Sequence, residues 1–319
     1  MALKLVIQIP CYNEAASLGA TVTAIPRKIE GIDSVDILVI DDGSTDGTAD
    51  VARSLNVDHV VSHRRNRGLA AAFQTGIDAS LRAGADIIVN TDADNQYDAS
   101  DIELLVGPIL RGEADIVIGD RQVRTNFHFS SGKQILQRVG TRVVRHLAGI
   151  DVPDAVSGFR AISRDAAMQI NIVSRFSYTT EMLILAGKRR LAVASVPIRT
   201  NAPMRRSRLF KSIPHFIFNT GITIVRSYAL YNPLNAFLLI GGIICFAGSL
   251  PILRFLWLSL VGDNRGHIQS LVLGGVLMIV GFITLLFALI ADLIGRNRQM
   301  LEMTLFKLRK IEEQMDRVE

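Results

Sequence analysis

Two long apolar runs constrain this chain more than any other feature. Asn235 to Leu253 and Ser270 to Ile290 are each nearly free of charge. Both are of spanning length, since a bilayer core ~30 Å thick is crossed by about 20 helical residues. Gly241, Gly242 and Gly248 in the first run are no obstacle, because glycine is frequent in membrane helices. Arg254 marks its far end, where a long side chain can reach the headgroups, and Trp257 suits the same zone. Two buried helices of a soluble core are the alternative, but length, lack of charge and adjacency speak against it. The hydrophobic fraction, 49% of 319 residues, is high for a soluble protein and is concentrated here.

Basic residues give an orientation. The short connection between the runs holds Arg254 and Arg265. The flanks hold Arg205, Arg206, Arg208, Lys211 and Arg226 before, and Arg296, Arg298, Lys307, Arg309 and Lys310 after. The positive-inside rule puts both flanks, and the large N-terminal region, in the cytoplasm. The expectation is a two-span protein of a cell (inner) membrane. Met1 to Pro10 is too short for a signal peptide. Cys11 and Cys245 lie in regions that should not meet, which argues against a disulfide and for a reducing compartment. The stretch from Leu209 to Tyr231 alternates apolar residues with Lys211, His215 and Arg226 and is broken by Pro214. It reads as a pair of amphipathic helices lying in the headgroup zone. Leu301, Thr304, Leu308, Ile311, Met315 and Val318 follow at three- and four-residue steps, a short heptad-like seam. That seam could build a homo-oligomer, together with the membrane helices, or pack on the rest of the chain.

The first 200 residues read differently. Apolar strand-like runs near Leu5, Leu38, Val60, Ile88 and Val117 alternate with helical stretches, one of them Gly68 to Leu81 with small residues on its packing face. Such alternation predicts an α/β domain with a mostly parallel sheet and helices on both faces. Gly132 to Leu147 reads as a further helix, whose basic residues are a solvated face or a surface for anionic lipid. Three strand ends carry unusual chemistry. Ala85 to Val89 runs into Asn90-Thr91-Asp92-Ala93-Asp94-Asn95-Gln96. Two carboxylates one residue apart repel each other unless a cation lies between them. Oxygen ligands of this kind suit Mg²⁺ or Mn²⁺ joined to substrate phosphates. Asp36 to Ile40 runs into Asp41-Asp42-Gly43-Ser44-Thr45-Asp46, where a helix cap explains part of the loop and a contact to ribose or base explains the rest. Leu3 to Ile9 ends in Pro10-Cys11-Tyr12-Asn13-Glu14, where Tyr12 can stack on a base and Glu14 can accept hydrogen bonds. In open α/β sheets, ligands bind at such carboxyl ends. Together the three loops suggest a nucleotide-diphosphate site.

These segments, with Ile118-Gly119-Asp120-Arg121, Asp154 to Arg160 and Arg205 to Lys211, resemble family 2 glycosyltransferases of the GT-A fold. More narrowly they resemble polyprenyl-phosphate glycosyltransferases, the group of dolichyl-phosphate mannose synthase and the bacterial polyisoprenyl-phosphate glucosyltransferases. The resemblance covers most of the chain. It implies a GT-A catalytic domain over residues 1–208, interfacial helices over 209–232, two transmembrane helices within 233–294 and a C-terminal helix over 295–319. It implies that Asp92, Asp94 and Gln96 hold Mg²⁺ or Mn²⁺. Pro10, Tyr12, Asn13, Glu14, Asp41, Asp42, Asp92 and Ala93 would line the nucleotide-diphospho-sugar. Arg121, Arg205, Arg208 and Lys211 would face phosphate groups of a polyprenyl-phosphate acceptor. Asp154 would lie beside the transferred sugar, with Asp94 and Arg121 completing the catalytic set. A UDP-sugar is favoured over a GDP-sugar by family analogy alone.

The expected chemistry is one inverting displacement at the anomeric carbon. A lipid phosphate has a second pKa near ~6 and is already a nucleophile, so no dedicated general base is needed. The rival readings fit less well. A processive polysaccharide synthase needs more spans and a Gln-x-x-Arg-Trp element, and the single tryptophan is Trp257. A non-catalytic nucleotide-sugar sensor could lose the basic residues on the acceptor side, and here they are kept. Two spans leave little room for a transporter path. The net charge of +5 points to membrane phosphate rather than nucleic acid, because the basic residues cluster beside the spans.

Overall fold

A computed structural model gives the structure of this chain and describes residues 2–122, 140–142, 144, 145, 148–172, 178–201, 233–261 and 268–316. It divides into two compact units, Met1–Thr220 with Arg309–Glu319, and Gly221–Leu308.

The first unit is built on seven strands: β1 (Lys4–Cys11), β2 (Ser34–Asp41), β3 (His59–Ser62), β4 (Ile87–Asn90), β5 (Ile116–Asp120), β6 (Arg160–Ser163) and β7 (Val193–Pro197). They form one sheet in the order β3-β2-β1-β4-β6-β5-β7. The first five strands fall on the five apolar runs expected from the sequence. The sheet is parallel except for β6, which runs against both β4 and β5. Strand order reverses between β1 and β4, and a crevice outside the carboxyl ends at such a reversal is where open sheets bind ligands.

The antiparallel strand is what brings distant loops together. Asn90 pairs with Arg160, and Ile118 pairs with Arg160 from the other side. Because β6 runs backwards, the residues just before it leave the sheet at the same edge as the residues just after β4 and β5. Gly158 is thereby carried alongside Asp92, and the loop through Asp154 alongside Arg121. Past the ladder, the Thr91 N–H still donates to the Gln8 carbonyl and the Gly119 N–H to the Phe159 carbonyl. Asp92 is therefore the first residue of its strand to leave the sheet.

Side-chain alternation puts Leu5, Ile7 and Ile9 of β1 on one face with Ile37 and Val39. There they meet Leu18 and Val22 of α1 (Ala15–Ala24), Ala52 of α2 (Thr48–Ser54) and Ile102, Leu105 and Val106 of α4 (Ile102–Leu110). The opposite face is covered by α3 (Leu69–Arg82), α5 (Arg164–Gln169) and α6 (Tyr178–Arg189). The packing face of α3 buries the small Ala70, Ala72, Gly76 and Ser80 beside Phe73 and Ile77. A Cβ on Gly76 would sit against the Gln8 side chain and 2.9 Å from Ile40 Cδ1. Glycine here sets how closely the helix approaches β1 and β2. The expected helix from Gly132 falls largely outside the described residues, as do the interfacial helices. Residues 140–142, 144, 145 and 148 are helical.

The second unit holds α7 (Pro233–Leu260) and the greater part of α8 (Ile268–Asp316). Their apolar windows have mean hydropathies of 2.3 and 2.7 and are only 17% buried, so both are long and apolar enough to cross a membrane. Leu239, Phe246, Trp257 and Phe282 are 60% or more exposed, which a helix in the core of a soluble protein would not show. The expected second span and C-terminal helix are one continuous helix of 49 residues. At about 1.5 Å per residue it is far longer than a bilayer core requires. The two helices meet through glycines spaced seven apart. A Cβ on Gly241 would lie 3.1 Å from the Gly281 carbonyl oxygen, and one on Gly248 would lie 3.1 Å from that of Gly274. Small residues let membrane helices approach backbone to backbone.

Overpacking at α3 gives a direct test. Gly76→Val should lower stability by about 1–3 kcal/mol through displacement of Gln8 and Ile40. Gly19→Ala should be neutral or stabilising by up to about 1 kcal/mol, because nothing lies within 4 Å of its added methyl and alanine favours the helix. Thermal unfolding of the purified protein reads both.

Candidate active site

The β1–α1 and β2–α2 loops are knitted into one wall. Asn13 adopts the left-handed conformation (φ 55°). Its N–H donates to Ser44 Oγ at 2.9 Å, and its side-chain oxygen accepts the Thr45 N–H at 2.9 Å. The Glu14 N–H donates to Thr48 Oγ1, and the Asp46 carboxylate accepts the N–H groups of Ala15 and Thr48. Those bonds and the Thr48 hydroxyl outweigh burial and hold the Asp46 carboxyl below its usual range. Asp46 takes this capping role although Gly47 stands at the N-cap of α2. Pro10 is buried and Tyr12 is 44% exposed at the rim. Glu14 accepts the Ser17 hydroxyl at 2.7 Å.

Asp41 and Asp42 are buried at the end of β2. Asp41 accepts the Ser44 N–H at 3.0 Å. Asp42 accepts three bonds: His63 Nδ1 at 2.7 Å, the Arg67 N–H at 2.9 Å and the Gly68 N–H at 2.8 Å. Gly43 has φ +71°, and a Cβ there would lie 2.5 Å from the Arg65 carbonyl carbon. Only glycine lets the two loops close to that distance.

Asp92 and Asp94 stand half-buried after β4, with Ala93 buried between them and its carbonyl accepting the Thr21 hydroxyl. Asn95 is left-handed (φ 55°). Asp94 accepts the N–H of the partly buried Gln96 at 3.2 Å. Burial, then the charge of Asp94, pushes the Asp92 carboxyl up to about 6, against the pull of Arg121 and of a hydrogen bond from Tyr97. The same crowding raises the Cys11 thiol, through burial and then Glu14, Asp41, Asp46 and Asp92, so it is no nucleophile. Among the described residues no group of three or more His, Cys, Asp or Glu is arranged to hold a metal by itself. That fits a cation completed by substrate phosphates, which Mg²⁺ and Mn²⁺ sites commonly are. The hard oxygen donors of Asp92 and Asp94 fit the same ion.

Asp154, 1% exposed, takes Arg121 in a bidentate pair, Nε to Oδ2 at 2.7 Å and Nη2 to Oδ1 at 3.1 Å. Two residues expected to act separately thus form one unit. Burial works against the Arg121 charge, but Tyr97, Asp154 and Asp92 outweigh it. Gln122, immediately after, is again left-handed (φ 49°). Arg205, Arg208 and Lys211 lie outside the described residues.

Beneath these loops lies a scaffold that sequence reasoning missed. Asn90 accepts from Gln8 at 2.9 Å and donates to the Gly158 carbonyl at 2.8 Å and the Tyr178 hydroxyl at 3.1 Å. The Gly158 N–H donates to the Tyr97 hydroxyl, and a Cβ on Gly158 would lie 3.0 Å from Asp92 Oδ1. Tyr97 stacks on Phe159, and Tyr178 on Phe73. Arg160 is fully buried and donates to the carbonyls of Ala155, Ser157 and Thr179, each at 2.8 Å. Burial pulls its guanidinium down to about 10. Asn90, polar at the end of an apolar strand, was the one visible signal. On the outer side, residues 199–201 are zipped to the Asp92 loop. The Asn201 N–H donates to the Gln96 carbonyl at 2.8 Å, its side chain to that of Asn95 at 3.0 Å, and Arg199 pairs with Asp101.

Comparison with known proteins places this geometry. The model of glycosyl transferase family 2 matches residues 6–170, just over half of the chain. The UDP-N-acetylglucosamine–dolichyl-phosphate N-acetylglucosaminyltransferase of Methanococcus voltae is 29% identical over 224 residues, 63% of this chain and 87% of that protein. The polyprenol monophosphomannose synthase of Mycolicibacterium smegmatis is 31% identical over 176 residues, 53% of this chain and 65% of that protein. Among solved structures, glucosyl-3-phosphoglycerate synthase from Mycobacterium tuberculosis, in complex with Mn²⁺ and UDP-glucose, shares the fold. Its TM-score is 0.55 at 22% identity, over 71% of this chain and 78% of that one.

The Asp92 geometry predicts a pH signature. A carboxyl raised in the folded state to about 6, above its ordinary range, favours folding at low pH and loses that contribution as pH rises through 6. In metal-free protein Asp92→Asn should therefore be more stable than the parent at pH 7.5, with the difference closing by about pH 4. An equal difference at both pH values, in thermal unfolding, would contradict the raised value.

Proposed function

The chain belongs to glycosyl transferase family 2, and within it we propose an inverting enzyme that moves a sugar from a nucleotide-diphospho-sugar to a polyprenyl phosphate at the cytoplasmic face of a membrane. The observation that carries this reading is that one chain holds both a carboxylate-rich crevice at a sheet reversal and two apolar helices long enough to cross a bilayer. A lipid-linked acceptor never leaves the bilayer, so holding a catalytic site at the membrane raises its effective concentration. The basic flanks of both helices support the cytoplasmic orientation. A UDP-sugar is the favoured donor, in line with the relative that uses UDP-N-acetylglucosamine.

In this reading Tyr12 and Asp42 meet the nucleoside, and Asp92, Asp94 and Gln96 hold Mg²⁺ or Mn²⁺. The ion, when bound, would neutralise charge on the leaving diphosphate. An oxygen of the acceptor phosphate attacks the anomeric carbon. The bond from that carbon to the diphosphate oxygen breaks, and its electron pair leaves with the nucleoside diphosphate. The acceptor is a dianion near neutral pH, so no proton need be removed from it. The obstacle is bringing two anions together. Arg121, fixed by both Asp154 oxygens, presents a guanidinium whose direction cannot drift, and Asp154 orients the sugar from the other end of the pair. Asn201 ties the chain to the Asp92 loop. Arg205, Arg208 and Lys211 are assigned to the acceptor phosphate.

A transfer assay tests this. Purified full-length protein in detergent receives undecaprenyl or dolichyl phosphate, Mg²⁺ or Mn²⁺, and labelled UDP- and GDP-sugars. Label should pass to the lipid phase from one donor and stop with EDTA. Asp94→Asn should cut turnover by about 100-fold or more; full turnover of that variant at saturating metal would remove the metal assignment. Donor binding without transfer to either lipid phosphate would point to a non-catalytic nucleotide-sugar binding protein or to a different lipid or glycan acceptor.

A further inference from the structure

His63 has no part in the chemistry above, yet its environment is as closely built as that of any residue that does. It is the first residue after β3, and its N–H continues the sheet by donating to the Asp41 carbonyl at 2.9 Å. Its side chain is 6% exposed, and that of Asp42 is 3% exposed. Nδ1 lies 2.7 Å from Asp42 Oδ1, and Nε2 lies 3.0 Å from Thr75 Oγ1 on α3. As a carboxylate Asp42 only accepts, so Nδ1 carries a proton and the Thr75 hydroxyl adapts to Nε2. Asp42 also accepts the Arg67 and Gly68 N–H groups, so the turn before α3 is tied down without histidine. What His63 adds is an anchor on rigid α3 that fixes the plane of the Asp42 carboxylate. A buried imidazole is expensive unless both nitrogens are satisfied, and here both are.

We propose that His63 is a positioning residue of the donor site, setting the Asp42 carboxylate through which the nucleoside is gripped. This rests on the reading that Asp42 meets the nucleoside. The geometry separates two substitutions. Asparagine places an amide N–H near the position of Nδ1 and keeps the bond to Asp42. Glutamine places its amide near Nε2, keeps Thr75 and gives up Asp42.

UDP affinity by calorimetry, donor KM and kcat are measured for His63→Gln, His63→Asn, Asp42→Asn and the His63→Gln/Asp42→Asn double variant, alongside thermal unfolding. His63→Gln should weaken UDP binding and raise donor KM by about tenfold, the scale of one hydrogen bond to a charged group, with kcat changed by less than about twofold. His63→Asn should recover most of the loss. Asp42→Asn should weaken UDP, and His63→Gln should add nothing in that background. If His63→Gln lowers only the unfolding temperature, or if the two substitutions add, His63 does not act through Asp42. If Asp42→Asn weakens UDP while His63→Gln does not, the His63 proposal falls and the donor-site reading stands. If Asp42→Asn leaves UDP affinity unchanged, the assignment of Asp42 to the nucleoside falls and the proposal with it.

Discussion

Crowded negative charge at one edge of the sheet is the constraint on which the rest of this structure depends. Glu14, Asp41, Asp42, Asp46, Asp92, Asp94 and Asp154 all lie on loops at the carboxyl ends of β1, β2 and β4 or at the entrance to β6. Carboxylates gathered this closely destabilise a fold unless each finds a partner. Most find one inside the chain. Asp46 caps two backbone N–H groups, Asp42 takes His63 and two more, and Asp154 takes Arg121 through both oxygens. Asp92 is treated differently. It has a hydrogen bond from the Tyr97 hydroxyl and the attraction of Arg121, and these do not bring its carboxyl back to the ordinary range.

That difference depends on how the loops are held. A flexible loop would let Asp92 swing away from Asp94 and lose the repulsion. The buried chain from Gln8 through Asn90 to Gly158 and Tyr97 removes that freedom. It joins the β4 end to the β6 entrance at several points, each a hydrogen bond in a dry interior where leaving a partner unsatisfied is costly. Arg160 does the same for the loop that carries Asp154. Its three bonds are all to carbonyls, those of Ala155 and Ser157 in that loop and that of Thr179 on α6. Sites that need fixed charge geometry are commonly built this way, with the second layer as ordered as the first.

The legible part of the fold was the part written as apolar runs. β1 to β5 are short hydrophobic stretches bounded by polar loops, and α3 shows its small packing face. β6 could not be read. It is four residues long and opens with an arginine, which suggests solvent until its three carbonyl partners are seen. β7 is a half-buried edge strand without a continuous apolar run. In the candidate site, residue types drew attention to these loops, but pairing was hidden. Nothing local joins Arg121 to Asp154, 33 residues on, because the juxtaposition comes from the reversed direction of β6. His63 gave no signal at all, since a lone histidine after a strand has many ordinary explanations. The helical run past Ile290 was visible as a heptad-like seam, but not that it continues α8 without a break.

These observations converge on how charge is apportioned. The carboxylates with built-in N–H or guanidinium partners are already in their final electrostatic state, and binding need not reorganise them. In the proposed reading Asp42 and Asp154 then serve as fixed directional contacts for a nucleoside and a sugar. Asp92 keeps a raised carboxyl in spite of Tyr97 and Arg121, and in the proposed reading a bound cation supplies the balancing positive charge. In that reading a donor diphosphate is itself anionic, and a cation on Asp92 and Asp94 finds few further carboxylate, histidine or cysteine ligands among the described residues. Each would complete the other. In the proposed reading this couples metal and donor thermodynamically: whatever each gains from the other, the other gains in return.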